Sequence, residues 1–181
     1  MKVELIKYPN ADDWFLVKEL ALSTCDMKAK TAPSEEWKKK ILIARHSPIR
    51  ELHFIFKVEI PYWVSVHLCR HIHAQPYVKS QRNDRRKNEV AGYDRNTAPQ
   101  NTPVVMYWSM CAEELINIAN KRLCTLASKE TRDVVREICK QVVNVLPEFE
   151  CVLVPNCEAH GNTCYEMKPC GKRGIKTVEM E

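Results

Sequence analysis

Only four of the 181 residues are glycine, and this scarcity restricts how the chain can bind phosphate groups. Loops that cradle phosphates with backbone amides need several closely spaced glycines, as in P-loops and dinucleotide-binding folds. Four glycines leave no room for such a loop. Any nucleotide site must therefore use cationic side chains, and the sequence contains 28 Lys and Arg against 23 Asp and Glu.

Length and composition indicate a globular protein. The hydrophobic fraction is 45% and the charged fraction is 28%, values typical of folded chains and unlike disordered ones. No apolar run approaches the roughly 20 residues that span a bilayer, and the first residues lack the apolar segment of a signal peptide. We therefore expect a soluble cytoplasmic protein without membrane contact, with one domain over residues 1–150 and a Cys-rich tail over residues 151–181.

The spacing of apolar residues predicts an α+β or α/β fold with short strands. Apolar and polar residues alternate in the predicted strands, whereas apolar residues share one face in the predicted helices. We expect Asn10 to begin the first helix, Ser34 and Ser128 to cap two others, and Pro147 to end the last. The predicted strands are residues 2–7, 52–60 and 75–78, and the predicted helices are residues 11–25, 35–46, 61–72, 104–126 and 128–146.

Basic residues cluster where the third predicted helix ends. His67, Arg70 and His71 stand at positions i, i+3 and i+4, so they share one face of that helix. Ser80 and Arg82 follow in an extended segment, where alternation places both on one side. One interpretation is a solvated helix end whose basic side chains bond the last carbonyls. The other is a site for a phosphate or an anionic pyrimidine, because the planar fork of arginine binds two oxygens at once.

The residues around this cluster resemble a known family. Arg70-His71-Ile72, followed after seven residues by Ser80, resembles the Arg-His-Arg…Ser signature of the flavin-dependent thymidylate synthases. Further blocks in the same order extend the resemblance over about residues 40–145. They are His46-Ser47-Pro48 with HFIFKVEIP, Arg95 with Pro99, Tyr107-Trp108, AEELINIANKRL and SKETRDVVREI.

The resemblance implies an α+β fold with a central mixed or antiparallel sheet flanked by long helices, and a homotetramer with shared active sites. It also implies an enzyme that methylates dUMP at C5 to give dTMP, with methylenetetrahydrofolate as the folate co-substrate and FAD reduced by NADPH. The implied substrate-binding residues are Arg82, Arg95, Arg122, Ser80 and His67, and the implied catalytic residues are Arg82, Ser80 and Arg122.

The same resemblance implies a flavin site in which the sequence departs from the family pattern. Ile72 replaces an arginine, and Cys111 and Glu113 stand where family members often have flavin-binding residues. An acid at position 113 would repel the flavin phosphates. Alternatives are therefore a relative that makes another C5-modified pyrimidine nucleotide, or one that only binds the nucleotide. The residues that the resemblance places at FAD are His46, Ser47, Arg70, His71 and Asn117.

The nine cysteines are an odd number in a chain without an export signal, which favours reduced thiols over a disulfide framework. Free cysteine often packs as a small apolar residue. Five cysteines lie singly in apolar periodic segments and are predicted to be buried, namely Cys25, Cys69, Cys111, Cys124 and Cys139.

The tail contains the other four cysteines and suggests a metal site. A Cys3His zinc site is predicted from Cys157, His160, Cys164 and Cys170, while Cys151 is expected to be packed. The spacing lacks the paired CxxC hairpins typical of structural zinc sites. The alternative is a set of redox-active or surface thiols.

The segment Lys79–Arg95 offers a different functional hypothesis, a nucleic-acid interface. It carries six cations beside Tyr77 and Tyr93, which could follow phosphates and stack bases. Three acids reduce its net charge to +3, a modest value for such an interface. The nucleotide-modifying enzyme is the favoured hypothesis, and nucleic acid is not the expected partner.

Overall fold

A computed structural model describes residues 1–82, 93–172 and 174–178. The predicted α+β class is confirmed, with a four-stranded sheet, a helical layer and a small two-stranded sheet near the end. No helix in these residues is long and apolar enough to cross a membrane. In chain order the elements are β1 (Lys2–Lys7), α1 (Ala11–Ser23), α2 (Glu35–Ala44), β2 (His53–Pro61), α3 (Tyr62–Leu68), β3 (Gln75–Val78), β4 (Pro103–Cys111), α4 (Ala112–Arg122), α5 (Lys129–Val145), α6 (Asn156–Ala159), β5 (Thr163–Cys164) and β6 (Lys176–Thr177), with 3-10 turns at Ser47–Glu51 and Pro147–Phe149.

The main sheet is antiparallel throughout, in the order β1-β2-β4-β3. Its centre is the pair β2 and β4, nine residues each, in continuous register. Phe56 lies opposite Trp108, and Val58 lies opposite Met106. Because side chains alternate between the faces of a strand, these four residues point to one face, and all four are fully buried there.

Aromatic side chains join the helical layer to this inner face. Phe149, in the 3-10 turn after α5, packs edge-on against Phe54 of β2 with 5.4 Å between ring centroids. The ring centroids of Trp14, in α1, and Phe149 lie 6.2 Å apart. All three are buried, and each such side chain stabilises the fold by about 1.5–3 kcal/mol.

The outer face of the sheet remains exposed. Tyr77 of β3 lies directly opposite Tyr107 of β4, and the two residues are 61% and 41% exposed. Cross-strand aromatic pairs stabilise antiparallel sheets, but here the rings also present apolar surface to solvent. The helical layer therefore covers only one side of the sheet.

Strand β1 lies at one edge of the sheet, and helix α5 lies alongside it. The side chain of Gln141 donates from Nε2 to the Val3 carbonyl at 2.9 Å and accepts at Oε1 from the Leu5 N–H at 2.9 Å. Buried or half-buried backbone groups need such partners. One amide of α5 therefore satisfies two backbone groups of β1, the Val3 carbonyl and the Leu5 N–H.

The predicted helix starts are confirmed at three positions. Asn10 accepts hydrogen bonds from the N–H groups of Asp12 and Asp13, while Asp13 accepts from the Asn10 N–H and completes a capping box. Ser34 and Ser128 each accept from the N–H of the third residue of their helix. Each cap stabilises its helix by about 1 kcal/mol.

The helix predicted over residues 104–126 is wrong in its first half. That half is strand β4, and only the second half is helix α4. Met106 and Trp108 are buried whereas Tyr107 is exposed, so the period is two. Since Tyr107 is aromatic, the segment is apolar on both faces, and periodicity alone does not separate a strand from a buried helix.

The third predicted helix is shorter than expected. Pro61 is the last residue of β2, and α3 ends at Leu68. Arg70 and His71 lie beyond the helix, so the helix face predicted for them with His67 does not form. A turn positions His71 instead, with its N–H donating to the Leu68 carbonyl at 3.1 Å.

Four of the five cysteines predicted to be buried are not. Cys25 and Cys69 are exposed, and Cys111 and Cys124 are half-buried. Cys139, on the inner face of α5, is buried. Cys25 and Cys69 lie just past the ends of α1 and α3, so helical periodicity does not apply to them.

Candidate functional site

Helix α4 presents polar side chains next to the sheet. The helix follows β4 without a loop, and the Ala112 N–H donates to the Leu52 carbonyl at 2.8 Å, which fixes its start. Leu115 and Ile118 are buried and hold the helix in the core. Side chains from elsewhere in the chain meet the helix in two groups, one at each end. The polar residues of α4 in these groups are Glu113, Glu114, Asn117 and Arg122.

At the C-terminal end of α4, Arg122 is bonded to α3 and the turn after it. Its Nε donates to His71 Nε2 at 2.9 Å, and its Nη2 donates to the His67 carbonyl at 3.0 Å. Within the described residues, Nη1 makes no hydrogen bond. The guanidinium is held in place while one edge remains available to a ligand. We call Arg122, His71, His67 and Glu114 the C-terminal cluster.

His71 is a neutral imidazole with one fixed tautomer. Arginine can only donate, so His71 Nε2 must accept from Arg122, and the ring proton is on Nδ1. Nδ1 lies 3.4 Å from Glu114 Oε1. Burial, together with the charges of Arg122 and Arg70, lowers the pKa of His71 to about 4. The contact with Glu114 therefore involves a neutral ring at physiological pH and is not an ion pair.

Arg70 adds a second cation beside this cluster. Its side chain makes no hydrogen bond or ion pair in the part of the chain that the structure describes, and the residue is exposed. Burial, followed by the charge of Arg70, lowers the pKa of Arg122. Two arginines within electrostatic range of one another, with no carboxylate bonded to either, favour an anion between them.

At the N-terminal end of α4, two arginines bond side chains of the helix. Arg45 donates to Asn117 Oδ1, and Arg50 donates to the Glu113 carboxylate. The bond and charge of Glu113 raise the pKa of Arg50. Asn117 Nδ2 donates to Glu114 Oε2 at 3.3 Å, so both ends of that amide are engaged. We call Arg45, Arg50, Glu113 and Asn117 the N-terminal cluster, and Glu114 connects the two clusters.

The structure brings together only part of the predicted substrate site. Arg122 and His67 are bonded to one another. Ser80 Oγ accepts a hydrogen bond from the Arg82 N–H at 3.2 Å, which forms a local turn. The extended segment that was expected to place both side chains on one side is therefore not observed here. Arg95 is exposed and makes no described contact through its side chain. Residues 83–92, most of the segment proposed for nucleic acid, lie outside the described residues.

The predicted flavin residues divide into two groups. His46, Ser47 and Arg70 are exposed. His71 and Asn117 have their polar atoms engaged within the chain. The repulsion expected from an acid at position 113 is offset, because that carboxylate is bonded to an arginine.

The structure does not bring the four predicted zinc ligands together. No three His, Cys, Asp or Glu side chains are grouped as metal ligands in residues 1–82, 93–172 and 174–178. His160 Nδ1 lies 2.8 Å from the Asn156 carbonyl, Cys164 is buried in β5, and Cys170 is exposed. Cys157 is half-buried at the start of α6. The described residues therefore do not support the predicted zinc site.

Three residues of the clusters, Glu114, Arg45 and Arg50, were not predicted from sequence. Glu114 is only 4% exposed. Its position could have been predicted from the sequence, because Glu114 stands four residues before the buried Ile118 and therefore lies on the inner face of α4. Arg45 gives no such signal, since its partner Asn117 is 72 residues away. Arg45 also ends α2 in a left-handed conformation, with a φ of 55°.

Part of the chain matches a known protein family. Residues 87–148 match the family model described as thymidylate synthase complementing protein. The predicted family resemblance is confirmed. The matched segment contains Arg95, Asn117 and Arg122, while the other residues predicted for the nucleotide and flavin sites precede it.

A solved protein structure has a fold similar to that of this chain. It is the UMP/dUMP methylase PolB from Streptomyces cacaoi, bound with 5-Br dUMP. The TM-score is 0.65 at 16% sequence identity, and the alignment covers 84% of this chain and 96% of that chain. At this identity the similarity establishes the fold. No curated protein sequence matches the chain.

Proposed function

We propose that the protein binds dUMP at the C-terminal cluster and catalyses a substitution at C5 of the pyrimidine ring. The observation that carries this proposal is the Arg122 guanidinium, held by two neutral acceptors beside Arg70, which has no partner among the described residues. Neither cation has a carboxylate partner in the described part of the chain, so an anionic ligand is favoured. The family match and the fold shared with a methylase whose structure contains 5-Br dUMP support the identity of that anion.

Arg122 is suited to bind the nucleotide in a defined orientation. It is half-buried, so solvent screens its charge less than at the surface. We propose that Arg82 and Arg95 complete the site for phosphate and uracil, and that Ser80 contributes a hydrogen bond. A guanidinium at a uracil carbonyl stabilises the negative charge that develops as C5 becomes nucleophilic.

His71 and Glu114 act as positioning residues in this proposal. A neutral His71 accepts from Arg122 Nε, and thereby fixes the plane of the guanidinium. Glu114 faces the protonated nitrogen of that ring and accepts from Asn117. A side chain held by such a network loses little entropy when the ligand binds.

Three exposed residues of the predicted flavin set fit a flavin cofactor. His46, Ser47 and Arg70 are exposed, and the guanidinium of Arg70, which has no partner in the described ranges, suits a diphosphate. His71 and Asn117 are engaged elsewhere, so we propose that the three exposed residues hold FAD. When bound, FAD would supply the redox step, with NADPH as reductant and methylenetetrahydrofolate as carbon donor.

A homotetramer with shared sites is part of the proposal. Ile72, next to His71, is 84% exposed, which is unusual for a large apolar side chain beside a binding site. Tyr77 and Tyr107 expose further apolar surface on the outer face of the sheet. A second subunit that covers these residues would also close the site. Sedimentation of a monomer at working concentration would contradict this assembly.

Release of tritium from C5-labelled dUMP tests the proposed reaction. We expect release in the presence of methylenetetrahydrofolate, NADPH and FAD, because replacement of the C5 hydrogen is required by any substitution there. Arg122→Lys keeps the charge but loses the planar fork, and should slow release by about 10–100-fold. Lys121→Gln is the matched control, an exposed neighbour with no described contact, and should leave the rate unchanged.

Two negative outcomes have different meanings. Retained dUMP binding without tritium release would favour a nucleotide-binding relative and reject the enzyme. Loss of both, in folded protein, would reject the nucleotide site itself.

A further inference from the structure

A cavity of about 540 Å3 lies between the end of α4, helix α5 and the C-terminal tail. Its walls include the apolar side chains of Leu123, Val143, Leu153 and Pro155. None of its lining residues belongs to the two clusters of α4. Small-molecule sites typically enclose about 300–1,000 Å3, so this cavity has the volume to hold the body of a small organic ligand.

One side of the cavity is a row of cations on α5. Arg132, Arg136 and Lys140 recur at intervals of four residues and therefore share one face of the helix. We call these three residues the basic stripe. Arg132 donates from Nη1 to the carbonyls of Thr125 and Ala127, at 3.1 and 2.9 Å, and has no carboxylate partner in the described part of the chain.

The charge of the lining is strongly positive. Lys172 faces the cavity from the tail, and Glu150 is the single acid among the lining residues. The carboxylates that pair with the other cations are not part of the lining; they are Asp133 at 2.7 Å from Arg136, Glu158 at 2.6 Å from Lys172 and Glu137 at 3.9 Å from Lys140. Apolar walls with a cationic rim match a ligand that has an apolar body and a negative group.

We propose that this cavity binds a small organic anion, an aromatic carboxylate, sulfonate or phosphate by chemical class, with its ring against the apolar walls and its charge at the basic stripe. The site is independent of the proposed dUMP site. A ligand there would contact α5 and the Cys-rich tail together, because residues of both line the cavity.

A cysteine in the cavity wall can report on occupancy. Cys170 is exposed and lines the cavity. A hydrogen bond from Thr125, followed by the Lys172 backbone, lowers the pKa of the Cys170 thiol and increases its thiolate fraction. Cys139 lines the same cavity, but burial raises its pKa to about 12, so it stays unreactive.

Fluorescence titration with 8-anilino-1-naphthalenesulfonate, an aromatic anion, tests the site. We expect saturable binding of one molecule per chain. Arg136→Gln with Lys140→Gln should weaken the affinity about tenfold, because two cations of the stripe are lost. The control, Lys39→Gln with Lys40→Gln, removes the same charge from exposed positions on α2 and should change affinity less than about twofold. Equal effects of the two double variants would overturn the proposal.

Two further measurements locate the probe. Val143→Trp fills the cavity and should abolish binding, and if this variant does not fold, the exposed charge variants remain decisive. Bound probe should slow the alkylation of Cys170 by iodoacetamide about fivefold or more, while Cys25, an exposed thiol outside the cavity, reacts as before. Unchanged alkylation of Cys170 at saturating probe would overturn the assignment.

Competition separates this site from the nucleotide site. Excess dUMP should not displace the probe, and Arg122→Lys should not change its affinity. Displacement of the probe by dUMP would show that the probe occupies the C-terminal cluster, and the cavity proposal would fail while the dUMP proposal stood.

Discussion

The two ends of α4 both carry arginines but differ in how their charge is balanced. At the N-terminal end, Arg50 donates to the Glu113 carboxylate and Arg45 donates to Asn117. At the C-terminal end, Arg122 bonds only neutral acceptors, and Arg70 has no described partner. At the N-terminal end, Arg50 is therefore bonded to a carboxylate, and the charges of Glu113 and Glu114 act on Arg45 against the effect of its burial. At the C-terminal end, no carboxylate is bonded to either arginine within the described residues.

This difference indicates which end is built for a ligand. A cation paired with a carboxylate has little left to gain from a second anion, while a half-buried cation with neutral partners gains a great deal. Cations near a helix C-terminus also interact with the helix dipole, which stabilises the fold by about 0.3–1 kcal/mol. Binding and stability must be measured separately to distinguish the two roles.

The largest expected effect is on nucleotide affinity at the C-terminal end. Arg122→Met removes a half-buried charge and should weaken dUMP binding about 100-fold, measured by isothermal titration calorimetry. Arg45→Met makes the same change at the N-terminal end and should alter dUMP affinity less than about threefold. Comparable losses in the two variants would remove the distinction between the ends.

The second effect is on stability at low pH. In the unfolded chain His71 has its ordinary pKa of 6.5, and in the folded chain about 4. Above pH 6.5 the ring is neutral in both states, so the stabilisation is complete. As pH falls through this interval only the unfolded chain binds the proton, and the free energy of unfolding should decrease by up to about 3 kcal/mol.

Denaturant unfolding between pH 7.5 and 4, compared among variants, measures this effect. In His71→Gln the part of the pH dependence that comes from residue 71 should be lost. The free energy of unfolding of this variant should therefore change less with pH than that of wild type. The control is His73→Gln, at an exposed position two residues further on. Parallel curves for wild type and His71→Gln would mean that the ring is not held neutral.

A smaller effect is expected from two adjacent acids of α4. Glu114 is buried and contacts both Asn117 and His71, so Glu114→Gln should lower stability by about 1 kcal/mol. Glu113 is partly exposed and bonded to an exposed arginine, so Glu113→Gln should leave Tm nearly unchanged. Thermal unfolding by circular dichroism checks the ranking, and the reverse order would contradict the assigned burial.

The smallest effect is expected from Arg50. Arg50→Gln leaves the Glu113 carboxylate without its partner beside the proposed flavin residues. FAD should bind about twofold to fivefold more weakly at low salt, with the difference reduced at high salt and dUMP affinity unchanged. If the affinity for dUMP changed by a similar factor, the charge at residues 50 and 113 would act on both ligands, and the two binding sites would not be separate.

Local interactions were the part of the fold that sequence predicted well. Asn10, Ser34 and Ser128 were identified as helix starts because a cap depends only on the next three residues. The sequence of β4 predicts a helix because two of its outer residues, Val105 and Tyr107, are apolar and conceal the period of two. To predict β4 as a strand, one would need to know which face of the sheet the helices leave uncovered, and this depends on the whole fold.

The candidate site was predicted in part for a similar reason. His71 and Arg122 were identified through a family pattern, although the reason given for His71, a shared helix face, was wrong. Their hydrogen bond joins residues 51 positions apart, and no local rule predicts it. Glu114 could have been identified as an acid on a buried helix face, but its two contacts depend on where the turn after α3 and Asn117 lie.

The contact between Gln141 and β1 has a consequence for the behaviour of the chain in concentrated solution. An edge strand with free amides and carbonyls is a template on which another molecule can add a strand. The Gln141 amide already bonds the Val3 carbonyl and the Leu5 N–H, so an incoming strand finds these positions taken. A single helical side chain thus blocks strand addition at these two positions of the edge.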